Sequence, residues 1–355
     1  MSRLGKDSSR MKLATVYGCV LASIVVAATV TAAQVAQSEM QTSKAVERSS
    51  HKEVTHELIT IGDSISAAFI GYTATKPERK LELLGHDTQP GEVPPPNMKN
   101  GVRYPAALES KDGYAWSTGQ KIDSIAKRLQ AWLYLKDTKN KLGWMNLAES
   151  GGLVSHMPRQ ARWAMEDFSK HVTKANPNGE IALVTLMIGS NDACARLDND
   201  PAEAVRIRED LRKTFEHLAK GKPAHQTSPV PVSVSSVPKI YELGNEDIRS
   251  YPVTNHLTCA DVRRDVRDSC PKLSNWKTPE EFAIRKARVE WVNAVIRTAT
   301  FELAPQFPEL SIAWDNQLAE YTLEGPDLAT DCFHPGKRGQ AKIADMLWQQ
   351  MPWFK

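Results

Sequence analysis

Along the chain, apolar runs of strand length alternate with stretches whose apolar residues recur at helical spacing. The strand candidates are residues 58–61, 144–148, 181–188, 230–235 and 310–314. Most are largely apolar or β-branched without polar alternation, the pattern of strands covered on both faces. Residues 230–235 are the weakest, because Pro231 and two serines interrupt them. Between these runs, Asp200-Pro201-Ala202-Glu203 and Thr278-Pro279-Glu280-Glu281 each combine a capping side chain, a proline at the first helical position and a glutamate. The second opens a helix with Phe282, Val289, Val292 and Ile296 along one side, a core-facing stripe. The alternation predicts an α/β fold: a three-layer α/β/α sandwich around a mainly parallel sheet of about five strands.

Three stretches depart from the alternation. Residues 1–33 place a basic stretch ending at Lys12 before an apolar run that closes in Val30-Thr31-Ala32-Ala33. This is the order of an export signal with small residues at the cleavage site; about 20 apolar residues would equally serve as an uncleaved membrane anchor. Residues 34–55 are polar, lack periodicity and read as a flexible spacer. The expectation is therefore a secreted or otherwise extracytoplasmic protein with one folded domain over residues 56–355. Within it, the proline-rich residues 72–114 and the polar residues 241–276 read as surface excursions that shape substrate access.

Composition narrows the partners. The net charge of +3 is carried entirely by the first 33 residues, where Arg3, Lys6, Arg10 and Lys12 stand against Asp7. The remainder is neutral, so nucleic acid is not an expected partner. Export allows disulfides, and once Cys19 leaves with the signal the set is even: Cys194, Cys259, Cys270 and Cys332. Three pairings are open, of which loop position favours Cys259 with Cys270 and Cys194 with Cys332. Neither these spacings nor the histidines His51, His56, His86, His171, His217, His225 and His256 match a metal motif. His156 reads as a polar residue on a helix face, and Trp348 and Trp353 as helix-packing and tail contacts.

Candidate chemistry lies at strand ends. Gly62-Asp63-Ser64 follows the first strand candidate, and a helix beginning near Ile65 would place positive backbone potential at the serine oxygen. Glu149-Ser150-Gly151-Gly152 ends the second, where a glycine lets a backbone N–H approach a reacting carbonyl. Gly189-Ser190-Asn191-Asp192 ends the third; the Asn191 amide can donate to the same oxyanion while Asp192 shapes the turn. Near the C-terminus, Asp331-Cys332-Phe333-His334 spaces a carboxylate and an imidazole three residues apart, so that Asp331 can orient His334.

These four segments, in this order, resemble the nucleophile, oxyanion-glycine, Gly-x-Asn-Asp and Asp-x-x-His blocks of the SGNH hydrolases, the GDSL-type lipases and esterases. Residues 186–192 with Cys194, Asp331-Cys332-Phe333-His334-Pro335, and Trp116-Ser117 before a helix are similar to the phospholipase B-like branch. Ile65 departs from the leucine of the family name conservatively. The resemblance implies a serine ester hydrolase with Ser64, His334 and Asp331 as triad. It implies Ser64 N–H, Gly151 N–H and Asn191 as oxyanion donors. No cofactor or metal is implied. Its expected substrates are small-molecule or lipid acyl esters, with transient contact at a lipid surface. Carbohydrate O-acetyl esters, or a non-catalytic envelope-binding role on the same fold, are the alternatives. The nearness of Cys194 to Asn191 and of Cys332 to His334 adds to the expectation of a disulfide joining those two loops.

Overall fold

The computed structural model describes residues 55–68, 113–173, 176–265 and 269–355, with short strand pairings at 47–48, 98–99 and 102–103. The expected export signal, most of residues 34–55 and most of the 72–114 excursion lie outside the described residues.

The five apolar runs form the strands β1 (His56–Gly62), β2 (Leu142–Asn146), β3 (Glu180–Met187), β4 (Val230–Ser235) and β5 (Leu310–Asp315). All pair in parallel, in the order β2-β1-β3-β4-β5. Two further residues, Glu47–Arg48, pair antiparallel with the outer edge of β2. Leu58 and Ile59 point to opposite faces of β1, and both are fully buried. The sheet is thus covered on both sides, which is why its strands lack polar alternation.

Pro231 does not exclude β4 from the interior of the sheet. The ladder with β3 begins only at Val232, so Pro231 faces β5 alone, opposite Ser311. A missing N–H there removes no bond to β3.

The major helices are α1 (Ile125–Lys136), α2 (Met157–Asp167), α3 (Ser190–Ala195), α4 (Pro201–Lys220), α5 (Pro279–Leu303) and α6 (Lys337–Gln350). Both anticipated caps form. The Asp200 carboxylate accepts from Ala202 N at 2.9 Å, and Thr278 Oγ1 accepts from Glu281 N at 3.3 Å. Helices α1 and α6 pack together, tied by Arg128 to Asp345 at 2.8 Å. In the second group, α4 packs against both α2 and α5. Val289, Val292 and Ile296 of α5 are buried in the core, with Phe282 edge-on to Tyr241 and Trp276 at its start. Trp348 stacks on Phe354, and Trp353 donates to Ser311 Oγ at 2.8 Å, so both tryptophans serve packing at the C-terminus.

The cysteines pair otherwise than loop position suggests: Cys194 with Cys270, and Cys259 with Cys332. Pairing follows which segments lie side by side in the fold and not nearness along the chain: the Cα atoms of Cys194 and Cys270 stand 5.4 Å apart and those of Cys259 and Cys332 5.3 Å apart. The segment between β4 and α5 therefore lies against two loops at once. One bridge joins it to the end of α3 and the other to the loop after β5, in place of a direct Cys194–Cys332 link.

Candidate active site

Strand order reverses at β1, which lies between β2 and β3, and in open parallel sheets such a switch point forms a crevice at the strands' C-terminal ends. At this edge β1 ends in Gly62 with φ +154°, where an added Cβ would meet Met187 O at 2.3 Å. Only glycine fits this exit. The buried Gln160 of α2 holds it on both sides: its Oε1 accepts from Gly62 N at 2.7 Å and its Nε2 donates to Gly62 O at 3.0 Å. Two residues on, Ser64 is 4% exposed. Through residue 68 the chain forms a hydrogen-bonded turn and not the helix expected from Ile65, with Ala67 N donating to Asp63 O at 3.0 Å. Asp63 Oδ1 accepts Ile65 N at 3.0 Å, which satisfies one backbone donor locally and favours the turn.

The loop after β5 supplies the other half. Asp331 Oδ1 accepts the backbone N–H groups of Phe333 and His334 at 3.2 and 3.1 Å. Its Oδ2 faces His334 Nδ1 at 2.5 Å, and His334 Nε2 lies 2.9 Å from Ser64 Oγ. A carboxylate on Nδ1 makes that nitrogen the donor and leaves Nε2 to accept the serine proton. Between them Cys332 takes φ +56°, a sparsely populated backbone for a side chain with Cβ. The bridge to Cys259 secures it there. Gln340 of α6 spans the two halves. Its Nε2 donates to Ile65 O at 3.1 Å and Pro335 O at 3.4 Å, while its Oε1 accepts Trp116 N at 2.9 Å.

Beside Ser64, the turns after β2 and β3 meet. Gly151 has φ +69°, and Asn191 Nδ2 donates to Gly152 O at 3.0 Å. A primary amide carries two N–H groups, so this bond fixes the side chain with one and leaves a second for a ligand. Gly189, at φ +115°, lets the chain pass Ile296 Cδ1, which would be 2.8 Å from a Cβ. Asp192 Oδ2 accepts Val154 N at 3.1 Å, joining the two turns. Behind them, the fully buried Arg288 donates to Asp192 O at 2.9 Å and pairs with Glu203 at 2.7 Å. Below the Gly151 turn, Glu149 takes Arg159 at 2.6 Å, and His156 lies 3.5 Å away. Burial pushes the Glu149 carboxyl up, but His156 and Arg159 together hold it below its usual range. His156 thus sits where α2 begins and faces an acid under the turn, a more specific place than a polar helix face.

Ser64, Asp331, His334, Gly151 and Asn191 were singled out from sequence as site residues; the structure brings Ser64, His334 and Asp331 into one hydrogen-bonded line. The supporting residues Gln160, Gln340, Arg288 and Glu149 were not anticipated. The available signal was weak: a glutamine or arginine on the buried stripe of a helix is visible only once the stripe itself is known.

Electrostatics around the turn yield one test. Burial pushes Asp63 up to about 6 from 3.8, opposed by bonds from Ile65 N and Ser190. The folded chain thus keeps this proton across an interval in which the unfolded chain has lost it, so stability falls as pH rises from about 4 to 6 and is level above. Asp63→Asn keeps the acceptor for Ile65 N and cannot ionise. It is expected to gain up to about 3 kcal/mol over the parent between those pH values. Melting curves at about pH 4 and pH 7 check this; an equal offset at both would refute it.

The family model of GDSL-like Lipase/Acylhydrolase matches residues 58–347, which contain all four blocks. Among curated proteins, the human phospholipase B1, membrane-associated, is 23% identical over 258 residues, 67% of this chain. The chain spans only 17% of that relative's length. LAE5, an alpha/beta hydrolase enzyme from the metagenome of Lake Arreo, Spain, aligns over 86% of this chain and 100% of its own, at 16% identity and TM-score 0.40. A family 3 carbohydrate esterase of Clostridium thermocellum aligns over 83% and 94%, at 15% identity and TM-score 0.37. With the match running from the first strand to the last helix, the chain belongs to the GDSL-like lipase/acylhydrolase family.

Proposed function

We propose that this protein is an exported serine carboxylester hydrolase acting on lipid or phospholipid acyl esters. The observation that carries the reading is the line Ser64 Oγ, His334 Nε2, His334 Nδ1, Asp331 Oδ2, at 2.9 and 2.5 Å. Ser64 Oγ attacks the ester carbonyl as its proton passes to His334 Nε2, and Asp331 stabilises the imidazolium. Ser64 N–H, Gly151 N–H and the Asn191 amide donate to the oxyanion. The intermediate collapses, the alcohol leaves with the proton from His334, and an acyl-serine remains. His334 then deprotonates water, which attacks the acyl carbonyl; the acid departs and Ser64 regains its proton. These steps call for no cofactor.

The lipid assignment is supported by the sequence relation to a phospholipase. Export is supported by the basic-then-apolar N-terminus and by two disulfides, which persist in oxidising compartments. Among the described residues, no helix is long and apolar enough to cross a membrane.

The test is release of p-nitrophenol from acetyl, butyryl and palmitoyl esters, and of fatty acid from phospholipid, with Ser64→Ala as control. Ser64-dependent turnover of long-chain esters and phospholipid supports the reading. Turnover confined to acetyl esters would move it to a carbohydrate O-acetylesterase, and none at all to a binding module. Asn191→Ala is expected to lower kcat by about 10²–10³ with KM nearly unchanged, because its donor acts on charge that develops only in the transition state. A loss confined to KM would remove Asn191 from that role.

A further inference from the structure

Asn191 sits on α3, a helix of six residues, and a helix so short does not hold itself together. Its carbonyls from Asp192 to Ala195 are the last four and find no partner inside it. Cations from distant segments meet this end instead. Arg288 of α5 donates through Nη2 to Asp192 O at 2.9 Å and through Nη1 to Asp198 O at 3.0 Å, and the Lys272 ammonium donates to Ala195 O. Positive charge at a helix C-terminus also suits the backbone dipole. The disulfide from Cys194 to Cys270 ties down the same end.

One face of α5 brackets Asn191. Arg288, Val292 and Ile296 follow one another at helical spacing and so share that face. A Cβ on Gly189 would meet Ile296 Cδ1 at 2.8 Å and Val292 Cγ1 at 3.1 Å, while Arg288 holds Asp192 O. The residues on either side of Asn191 are thus set by one long helix. The guanidinium is itself oriented: it is fully buried, donates to Glu203 Oε1 at 2.7 Å and lies 4.9 Å from the centre of the Trp291 ring. A buried ion pair adds little stability over well-packed apolar residues of similar volume, so stability is a poor account of this one. What an arginine supplies here, and an apolar side chain does not, is a planar fork that ties the carbonyls of Asp192 and Asp198 to α5.

We propose that Arg288 is a positioning residue for ester hydrolysis: its guanidinium holds α3 so that the second N–H of the Asn191 amide points to the oxyanion. The inference rests on the ester-hydrolase reading above, in which Asn191 is an oxyanion donor. Placement of the amide and its effect on turnover are therefore measured apart. Arg288→Lys keeps a charge beside Glu203 but replaces the fork with a single point of donation. It should lower kcat on p-nitrophenyl butyrate about ten- to a hundredfold with KM nearly unchanged, the effect expected when a donor is misplaced by about 1 Å. In an Asn191→Ala background the same substitution should lower kcat by less than about twofold more, because the donor it places is gone. A loss confined to KM, an equal loss of kcat in both backgrounds, or a kcat left unchanged whatever the melting temperature would overturn the proposal. Placement is read without substrate by NMR of the two Asn191 side-chain amide protons. The one bonded to Gly152 O should shift in Arg288→Lys, and unmoved signals would also overturn the proposal. Should Arg288→Lys fail to fold, Glu203→Gln, which keeps the arginine but loosens its orientation, is carried through the same comparisons. A shifted amide with no ester turnover in the parent would uphold the placement of Asn191 by Arg288 and sink the hydrolase reading.

Discussion

Replacing Ser64 by alanine is expected to reduce ester turnover by about 10⁴–10⁶, with KM nearly unchanged. In the proposed mechanism the Ser64 hydroxyl oxygen forms the acyl intermediate, and alanine would leave His334 with no serine proton to accept. The surroundings do not depend on that oxygen. Gly62 remains held by Gln160, and Asp331 remains bonded to the backbone of Phe333 and His334. The variant should therefore keep its fold and bind ester while failing to turn it over. Residual activity would come from the oxyanion donors and positioning alone, about 10³–10⁴ over water in enzymes of this type. Rapid mixing with excess p-nitrophenyl butyrate should show a burst of p-nitrophenol for the parent and none for the variant. A burst that survives the substitution would place the nucleophile elsewhere.

Asp331→Asn should cost about 10⁴ in kcat, for a reason that can be separated from folding. Asp331 uses its two oxygens differently: Oδ1 accepts two backbone N–H groups, and Oδ2 meets His334 Nδ1. Asparagine can satisfy the backbone donors only with its carbonyl oxygen in the Oδ1 place, which turns its NH₂ toward Nδ1. The imidazole must then accept at Nδ1 and carry its proton on Nε2, so it cannot take the proton of Ser64. The loop stays ordered while the base is in the wrong tautomer. Asp331→Ala removes the backbone acceptor as well and should lower the melting temperature in addition to the rate. Measuring both variants splits the roles: equal melting temperatures for the two would contradict the loop-ordering role of Oδ1. Normal turnover in Asp331→Asn would remove Asp331 from the relay.

Legibility followed the range of the interactions. The five strands were readable because a strand covered on both faces must be apolar along its length, a property of consecutive residues. The helix starts at Asp200 and Thr278 were readable because a cap is satisfied within three residues. Even the weakest strand, β4, was placed correctly, although only the sheet explains its proline: the β3 ladder starts one residue later. Local signals also misled. Gly62-Asp63-Ser64 suggested a helix start near Ile65, and the described chain instead closes a turn on Asp63.

The cysteines show where local reasoning ends. An even set was apparent from counting, but pairing depends on which loops lie side by side, and the segment between β4 and α5 takes one partner from each of two distant loops. Gln160 and Gln340 were hidden for the same reason, since their partners lie 98 and 275 residues away.

By itself, then, the sequence determined the α/β class, the strand positions and the residue types at four strand-end segments, because each follows from short-range periodicity or motif order. Only the tertiary structure decided that Ser64 and His334, 270 residues apart, stand 2.9 Å from each other, and which cysteines, glutamines and arginines surround them. Those contacts are set by the parallel sheet, which brings the ends of non-consecutive strands to one edge, and the spacing of residues along a chain carries no record of that meeting.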